Sequence, residues 1–287
     1  MSQPDFKLQA NLRMGAVCLR SKNLDSLLSF YREDMGLKTI RTEGDYTTLG
    51  TESGTQPLLI LHHDERASTP PANGTGLYHY ALLVPDRSAL AAAYLGLGRK
   101  GVVFDGYADH QVSEALYLTD PEGNGIEIYR DRPRDEWKFD EGQVEMTTQP
   151  LDLDSLIQDS GSRGQQKAIA DEALVGHVHL KVSDLQSSLV FYRDGLGFEL
   201  MRYLGSAAFL SAGGYHHHIG MNTWESLNGP PSRKTFVGLE YFEVVISESD
   251  LSELSSRLNG SPIAQMLDPK QLFVSDPDEI SLLFKTA

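Results

Sequence analysis

Imidazoles are the side chains of this chain with the most chemistry to offer. A neutral imidazole titrates near pH 7 and binds transition metals, so it can serve as acid, base or ligand. The sequence has nine histidines, and three stand in a row, His216, His217 and His218, after Tyr215. His177 and His179 alternate with Val178 and Leu180, and Lys181 follows. In a strand the three polar residues share one face and the apolar ones the other. Glu127 and Tyr129 alternate with Ile126 and Ile128 in the same way, and His79 stands between Tyr78 and Tyr80. Spacing alone leaves two readings open. A single histidine or strand glutamate is a hydrogen-bonded or solvated residue as readily as a ligand. Three consecutive histidines suit a polar turn or adventitious metal binding as well as catalysis. His62 and His63 end a strand and have no partner in the pattern.

Such side chains need elements to aim them, and the chain repeats one set of elements. Gly15-Ala16-Val17-Cys18-Leu19-Arg20, Asn23-Leu24, Phe30-Tyr31-Arg32 and Gly36-Leu37 return as Gly176-His177-Val178-His179-Leu180-Lys181, Asp184-Leu185, Phe191-Tyr192-Arg193 and Gly197-Phe198. Ala16 to His177, Phe30 to Phe191 and Gly36 to Gly197 are each 161 residues apart. A second pair is weaker: Ala115–Glu122 resembles Gln271–Asp278, both closing on Asp-Pro. The two halves are therefore related throughout. Each half has two parts, giving four units.

Unit one opens with an alternating strand, Ala16–Arg20. A helix runs from Leu24 to about Met35, with Leu24, Leu27, Leu28 and Tyr31 at helical spacing, and Gly36 ends it. Strands Lys38–Thr42, Tyr46–Gly50 and Pro57–His62 follow, separated by turn residues. Unit two reads as a strand at Tyr78–Val84, a helix at Arg87–Gly98, and strands near Val102–Phe104, Glu114–Thr119 and Gly125–Arg130. The domain reading is a first repeat at 8–131, a polar linker at 132–173 with a short helix near Leu153–Gln158, and a second repeat at 174–287. A unit of this size cannot bury a core alone, so units must close on each other in pairs.

Composition excludes several classes. The chain of 287 residues is 40% hydrophobic and carries a formal net charge of −15. That charge repels phosphates and argues against a nucleic-acid partner. One cysteine, Cys18, allows no internal disulfide, which points to a reducing compartment, the cytoplasm. Met1–Arg13 holds no apolar run of signal-peptide length, and no stretch approaches the roughly 20 apolar residues of a membrane span. The Gly213-Gly214 pair is not followed by a phosphate-loop helix, so no nucleotide site is implied.

The opening strand, the helix bearing Phe-Tyr and ending in Gly-Leu or Gly-Phe, and the strand after Asp120-Pro121-Glu122-Gly123-Asn124 resemble the vicinal oxygen chelate superfamily. Glyoxalase I, fosfomycin-resistance proteins and extradiol dioxygenases belong to it. The likeness covers about residues 8–131 and 174–286. Gly76–Arg87, Ser113–Tyr117 and Gly213–Gly220 are similar to the two-repeat bacterial catechol 2,3-dioxygenases. The resemblance implies an α+β fold of four βαβββ modules that form paired, cupped mixed sheets.

It also implies roles. The superfamily binds metal early in a module's first strand and again in its last. At those places module two offers His79 and Glu127, and module three offers His177. Module one has Ala16 in place of His177. Module four has Glu240 in place of His79 and Leu283 in place of Glu127. Two histidines and one carboxylate with open positions suit Fe(II) oxygenases, and Mn(II) suits the same donors. In extradiol enzymes a histidine at the start of the strand after Tyr215 is the acid–base catalyst, and the pattern selects His217, with His216 next. Tyr117 and His110 match residues that hydrogen-bond the catecholate. His179 and His216 are expected to line the substrate site.

The implied activity is ring cleavage of catechol by O₂ to a 2-hydroxymuconate semialdehyde in aromatic hydrocarbon catabolism. Small molecules are the partners, with no nucleic acid or membrane, and a homo-oligomer is compatible. Two rivals share the fold. One is a glyoxalase-like lyase or transferase, which normally uses four ligands with two carboxylates. The other is a metal-free small-molecule binding protein, which lacks the triad. The ligand pattern departs from better-known extradiol enzymes, whose metal lies between modules three and four. Here modules two and three must form the active cavity, and modules one and four a metal-free one.

Overall fold

The computed structural model describes residues 6–53, 56–161 and 168–287. In module one, β1 (Arg13–Ser21) leads into α1 (Leu24–Ser29), where the Asn23 side chain accepts the Ser26 N–H. The helix widens into a π turn over Phe30–Asp34, and Gly36, at φ 82°, turns the chain out in a conformation that costs glycine little. β2 (Lys38–Glu43), β3 (Tyr46–Gly50) and β4 (Pro57–His63) complete it. Module two is β5 (Gly76–Leu83), α2 (Arg87–Arg99), β6 (Gly106–Asp109), β7 (Ser113–Thr119) and β8 (Gly125–Asp131). Next come a short hairpin, β9 (Phe139–Asp140) and β10 (Gln143–Val144), and α3 (Leu153–Gln158). The part of the expected linker at 162–167 lies outside the described residues.

Module three is β11 (Leu174–Lys181), α4 (Leu185–Leu189) with its own π turn at Val190–Gly195, β12 (Glu199–Tyr203), β13 (Ala207–Ser211) and β14 (Ile219–Asn222). Module four is β15 (Gly238–Val245), α5 (Glu248–Arg257), β16 (Ala264–Asp268), β17 (Gln271–Ser275) and β18 (Ser281–Lys285).

One expected strand is not there. Val102–Phe104 is the exit from α2, and the strand begins later, at Gly106. The Val102 N–H donates to the Leu97 carbonyl as part of the helix end, and Val103 is 79% exposed. That amide is committed to the helix terminus, so it has none to give a ladder.

The strands make two eight-stranded mixed sheets. One runs β16-β17-β18-β15-β1-β4-β3-β2 and the other β12-β13-β14-β11-β5-β8-β7-β6. Modules one and four thus share a sheet, and modules two and three share the other, the crosswise pairing that the ligand pattern required. In every module the first strand runs parallel to the last. The two first strands of each sheet meet antiparallel, β1 with β15 and β5 with β11.

The repeated Phe-Tyr and Asp-Pro motifs are structural. Tyr31 donates its hydroxyl to Asp120 Oδ2 at 2.8 Å, and Tyr192 donates to Asp276 Oδ2 at 3.0 Å. The other oxygen, Oδ1, caps the turn: in Asp120 it accepts the amides of Glu122 and Asn124, in Asp276 those of Asp278 and Ile280. Each tyrosine is fully buried, so it needs such a partner, and each bond ties one module's helix to the next module's last turn. One continuous cluster of buried side chains joins the helix-bearing sides of both sheets, including Leu27, Tyr31, Leu90, Val178, Tyr192 and Leu254. Burying one such side chain stabilises by about 1.5–3 kcal/mol. Among the described residues no helix is long and apolar enough to cross a membrane.

Candidate metal centre and active site

The register of four strands places the donors. On the side of the second sheet away from the core, Tyr117 of β7 lies opposite Glu127 of β8, Glu127 beside Ala81 of β5, and Ala81 opposite His177 of β11. His79, two residues before Ala81, is paired with His179. Alternation turns Ile126, Ile128, Val178 and Leu180 into the core and leaves the polar residues on the other face.

His79 Nε2 lies 2.9 Å from Glu127 Oε2, and His177 Nε2 lies 3.1 Å from the same oxygen. All three residues are buried, and one ligand atom from each falls within 4.8 Å of the others. Donors about 2.1 Å from one ion and at right angles to each other stand about 3.0 Å apart, so these separations fit a shared cation. His79 Nε2 also makes no hydrogen bond, despite being buried and close to the carboxylate. A buried nitrogen without a partner is costly unless something else binds it.

Charge is consistent with that use. Burial pushes His177 down to about 4, although Glu127 pulls the other way. Burial alone would raise Glu127, but His177 and His79 outweigh it and hold the carboxyl well below its ordinary range. At neutral pH His177 is therefore a neutral imidazole and Glu127 a carboxylate.

These groups open on a cavity of about 540 Å³. His79, Glu127, Tyr117, His110, His179 and His217 line it on one side. Tyr78, Phe209, Trp224, Leu204, Met146 and Val112 make the apolar walls. Among the described residues no lysine or arginine lines it.

The structure brings His110 and Tyr117 together. His110 Nε2 is 2.7 Å from the Tyr117 hydroxyl, while Nδ1 is 2.7 Å from the Thr147 carbonyl. A carbonyl only accepts, so Nδ1 carries the hydrogen and Nε2 accepts from the tyrosine. His179 lines the cavity, and Asn222 Nδ2 donates to its Nε2 at 3.0 Å. His217 lines the cavity with its ring 4.1 Å from that of His177, centroid to centroid.

His216 is a correction. It was expected to line the substrate site, but it is wholly buried behind His217 and is not part of the cavity wall. Strand-like alternation turns it the other way, toward Asp131, whose Oδ1 accepts from its Nε2 at 2.9 Å. His218 differs again: the Ala212 amide donates to its Nδ1.

Sequence reading missed five contributors. Asp131 shares a face with Glu127 and Tyr129, a parity visible in the sequence once the strand is carried one residue past Arg130. Asn222 ends β14 and orients His179. Trp137 and Met146 come from the segment read as linker; Trp137 packs beside His216, and Met146 lines the cavity. Glu114, in the Ser113–Tyr117 stretch, binds Arg87, Arg130 and Arg132 and so ties α2, β7, β8 and the start of that segment together.

Among the described residues the first sheet has no such centre. Its register puts Tyr241, not Glu240, at the position of His79, because Phe242 beside Leu282 matches Tyr80 beside Ile126. Ala16 and Leu283 stand where His177 and Glu127 would be, and Ala16, Cys18, Ile60 and Tyr241 fill the space as an apolar cluster. His62 does have a partner: Glu240 Oε2 lies 2.6 Å from its Nδ1 and 2.9 Å from Arg20.

Comparison with known proteins agrees with this architecture. The Glyoxalase/Bleomycin resistance protein/Dioxygenase superfamily matches residues 13–128 and 174–281. The catechol-2,3-dioxygenase of Bacillus subtilis (strain 168) is 41% identical over 251 residues, covering 86% of this chain and 87% of that one. A solved structure from Bacillus subtilis subsp. subtilis str. 168 superposes with a TM-score of 0.64 at 13% identity, covering 98% of this chain and 86% of the other. Glyoxalase I from Zea mays does so with a TM-score of 0.56 at 16% identity, covering 96% and 92%. The donor set and this kinship indicate a metal cofactor. With its family match across both halves, its paired βαβββ modules and its 41% identical relative, the chain belongs to the Glyoxalase/Bleomycin resistance protein/Dioxygenase superfamily.

Proposed function

We propose that this chain is an extradiol catechol 2,3-dioxygenase, with His79, Glu127 and His177 holding Fe(II). The observation that carries the reading is the convergence of two imidazoles and one carboxylate on a cavity that also holds His217 and the His110–Tyr117 pair. Kinship with the Bacillus subtilis catechol-2,3-dioxygenase supports it. Three donors on one face leave room for a two-oxygen substrate and O₂. Fe(II) held by these three residues would supply the redox chemistry between the substrate and O₂. Mn(II) takes the same donors.

The chain's own residues then do the following. His217 takes a proton from a catechol hydroxyl and later returns it to reduced oxygen, a role that suits a histidine neutral at pH 7. The Tyr117 hydroxyl, which donates to His110 Nε2, offers its lone pairs to a catechol hydroxyl. Phe209, Trp224 and Tyr78 face the ring and exclude water. Both atoms of O₂ enter the product, a 2-hydroxymuconate semialdehyde. Glu127 is the one carboxylate of the set, which separates it from a glyoxalase-type site with two.

The test is anaerobic loading with Fe(II), then catechol and air. The expected result is one O₂ consumed per catechol and a yellow ring-opened product. Iron-loaded protein that takes up no oxygen with any catechol overturns the reading.

A further inference from the structure

His216 sits in a chain of contacts that leads away from the cavity. Its Nε2 is 2.9 Å from Asp131 Oδ1, and its Nδ1 is 2.7 Å from His217 Nδ1. Trp137, Tyr129 and Tyr215 surround its ring, and none of its surface is exposed. Tyr215 donates to the same Asp131 oxygen at 3.2 Å, and Tyr129 and Tyr215 share a further bond of 2.7 Å.

Hydrogen counting then gives one set of directions for a His216 ring that carries a single hydrogen. A carboxylate only accepts, so His216 Nε2 carries a hydrogen. With one N–H on the His216 ring, its Nδ1 is a lone pair. The short contact between the two Nδ1 atoms then needs its hydrogen from His217. That leaves His217 Nε2 bare. No protein group among the described residues hydrogen-bonds that nitrogen, and His217 lines the cavity.

We infer that Asp131, acting through His216, is a positioning residue that fixes His217 as the Nδ1–H tautomer with its Nε2 lone pair toward the cavity. The inference deepens, and rests on, the ring-cleavage reading above. Without the carboxylate, His216 can present either nitrogen, and His217 can turn to the Nε2–H form, which accepts no proton from a hydroxyl.

Asp131→Asn tests this, because asparagine keeps the size and both donates and accepts. Partners of this kind typically alter activity by about 10–100-fold, and a fall of that order in kcat is expected, with KM for catechol and bound metal per chain unchanged. Nitrogen-15 histidine NMR of the zinc-loaded protein, which is diamagnetic, reads the tautomer directly. Wild type should show His217 as Nδ1–H, and Asp131→Asn a mixture. Tyr215→Phe removes a donor to Asp131 but leaves the carboxylate, and should keep the Nδ1–H form. A wild-type spectrum with His217 as Nε2–H overturns the inference. So does Asp131→Asn with full kcat, Asp131→Asn losing metal in step with kcat, or Tyr215→Phe shifting the tautomer as far as Asp131→Asn does. The wild-type spectrum needs neither a variant nor turnover. A protein inactive toward every catechol but showing the Nδ1–H form would therefore sink the ring-cleavage reading alone.

Discussion

His177 and Glu127 meet across an alanine. They lie in neighbouring positions of one cross-strand row, with Ala81 between them, and their side chains bridge over its methyl at 3.1 Å. No strand contributes two of the three donors, so the centre exists only where β5, β8 and β11 are in register.

The small residue is therefore required. Ala81 is fully buried, and Ala81→Leu should wedge His177 from Glu127. Overpacking of this kind costs about 1–3 kcal/mol, so the variant should fold with a lowered melting temperature and bind little metal. Metal analysis of protein purified without chelator checks it; full occupancy would show that the bridge tolerates the extra volume.

Removing a donor and removing the acid–base group should separate cleanly. Glu127→Gln should lose metal and activity together. His217→Asn should keep its metal yet lose about 10²–10⁴-fold in kcat. Iron content measured beside oxygen uptake distinguishes the two, and equal metal loss in both would count against the separate roles.

Tyr117→Phe leaves His110 Nε2 without its partner. His110 is only part-buried, so losing the bond costs about 0.5–1.5 kcal/mol. We expect a lower denaturation midpoint and a reduced kcat with the metal retained. Unchanged kinetics would reduce the tyrosine to a packing residue.

Acid should destabilise the chelator-treated protein before its carboxylates are reached. Burial pushes His177 from 6.5 down to about 4 and His218 to about 3, and lowers His179 and His217 as well. These folded values lie below the unfolded one, so the unfolded chain takes up protons first as pH falls. Stability from each group is present above 6.5 and is lost as pH drops from there toward the folded value. Asp276, raised to about 7 by burial, and Asp120, also raised, act in the opposite sense, but they are two groups against four. Each net proton changes stability by about 1.4 kcal/mol per pH unit. The urea midpoint should fall between pH 6.5 and 4; a rise across that window would contradict the buried neutral histidines.

The cavity's charge predicts its preference among catechols. Among the described residues Asp105 and Glu127 line it and no lysine or arginine does, while its far walls are apolar. Methyl- and chlorocatechols should be cleaved with higher kcat/KM than catechols bearing a carboxylate. Burying one unpaired charge costs several kcal/mol, so the gap should exceed about tenfold. Oxygen uptake across such a panel decides it.

Much of this was legible in the residues because it repeats or alternates. The 161-residue offset located the modules, and the absence of donors in modules one and four required the crosswise pairing of sheets. Period-two alternation put His177 and Glu127 on the cavity face. What escaped depended on contacts between distant parts. His216 and Asp131 are 85 residues apart and meet only once β8 and the loop before β14 are folded. Val102–Phe104 reads as strand by composition, yet its first amide belongs to the end of α2. The offset between His79 and Tyr241 is set by how β15 pairs with β18, which no local pattern reports.

The exchange of modules between the sheets has a bearing on how the chain can be divided. Cutting it at α3 would give two fragments, each with the edge and inner strands of two half-sheets and the partner of neither. Neither fragment would own the complete donor set, since His79 and Glu127 travel with one and His177 with the other. The two should regain a metal centre only on mixing. A nascent chain, by the same topology, cannot bind its ion before β11 has been synthesised and has found β5.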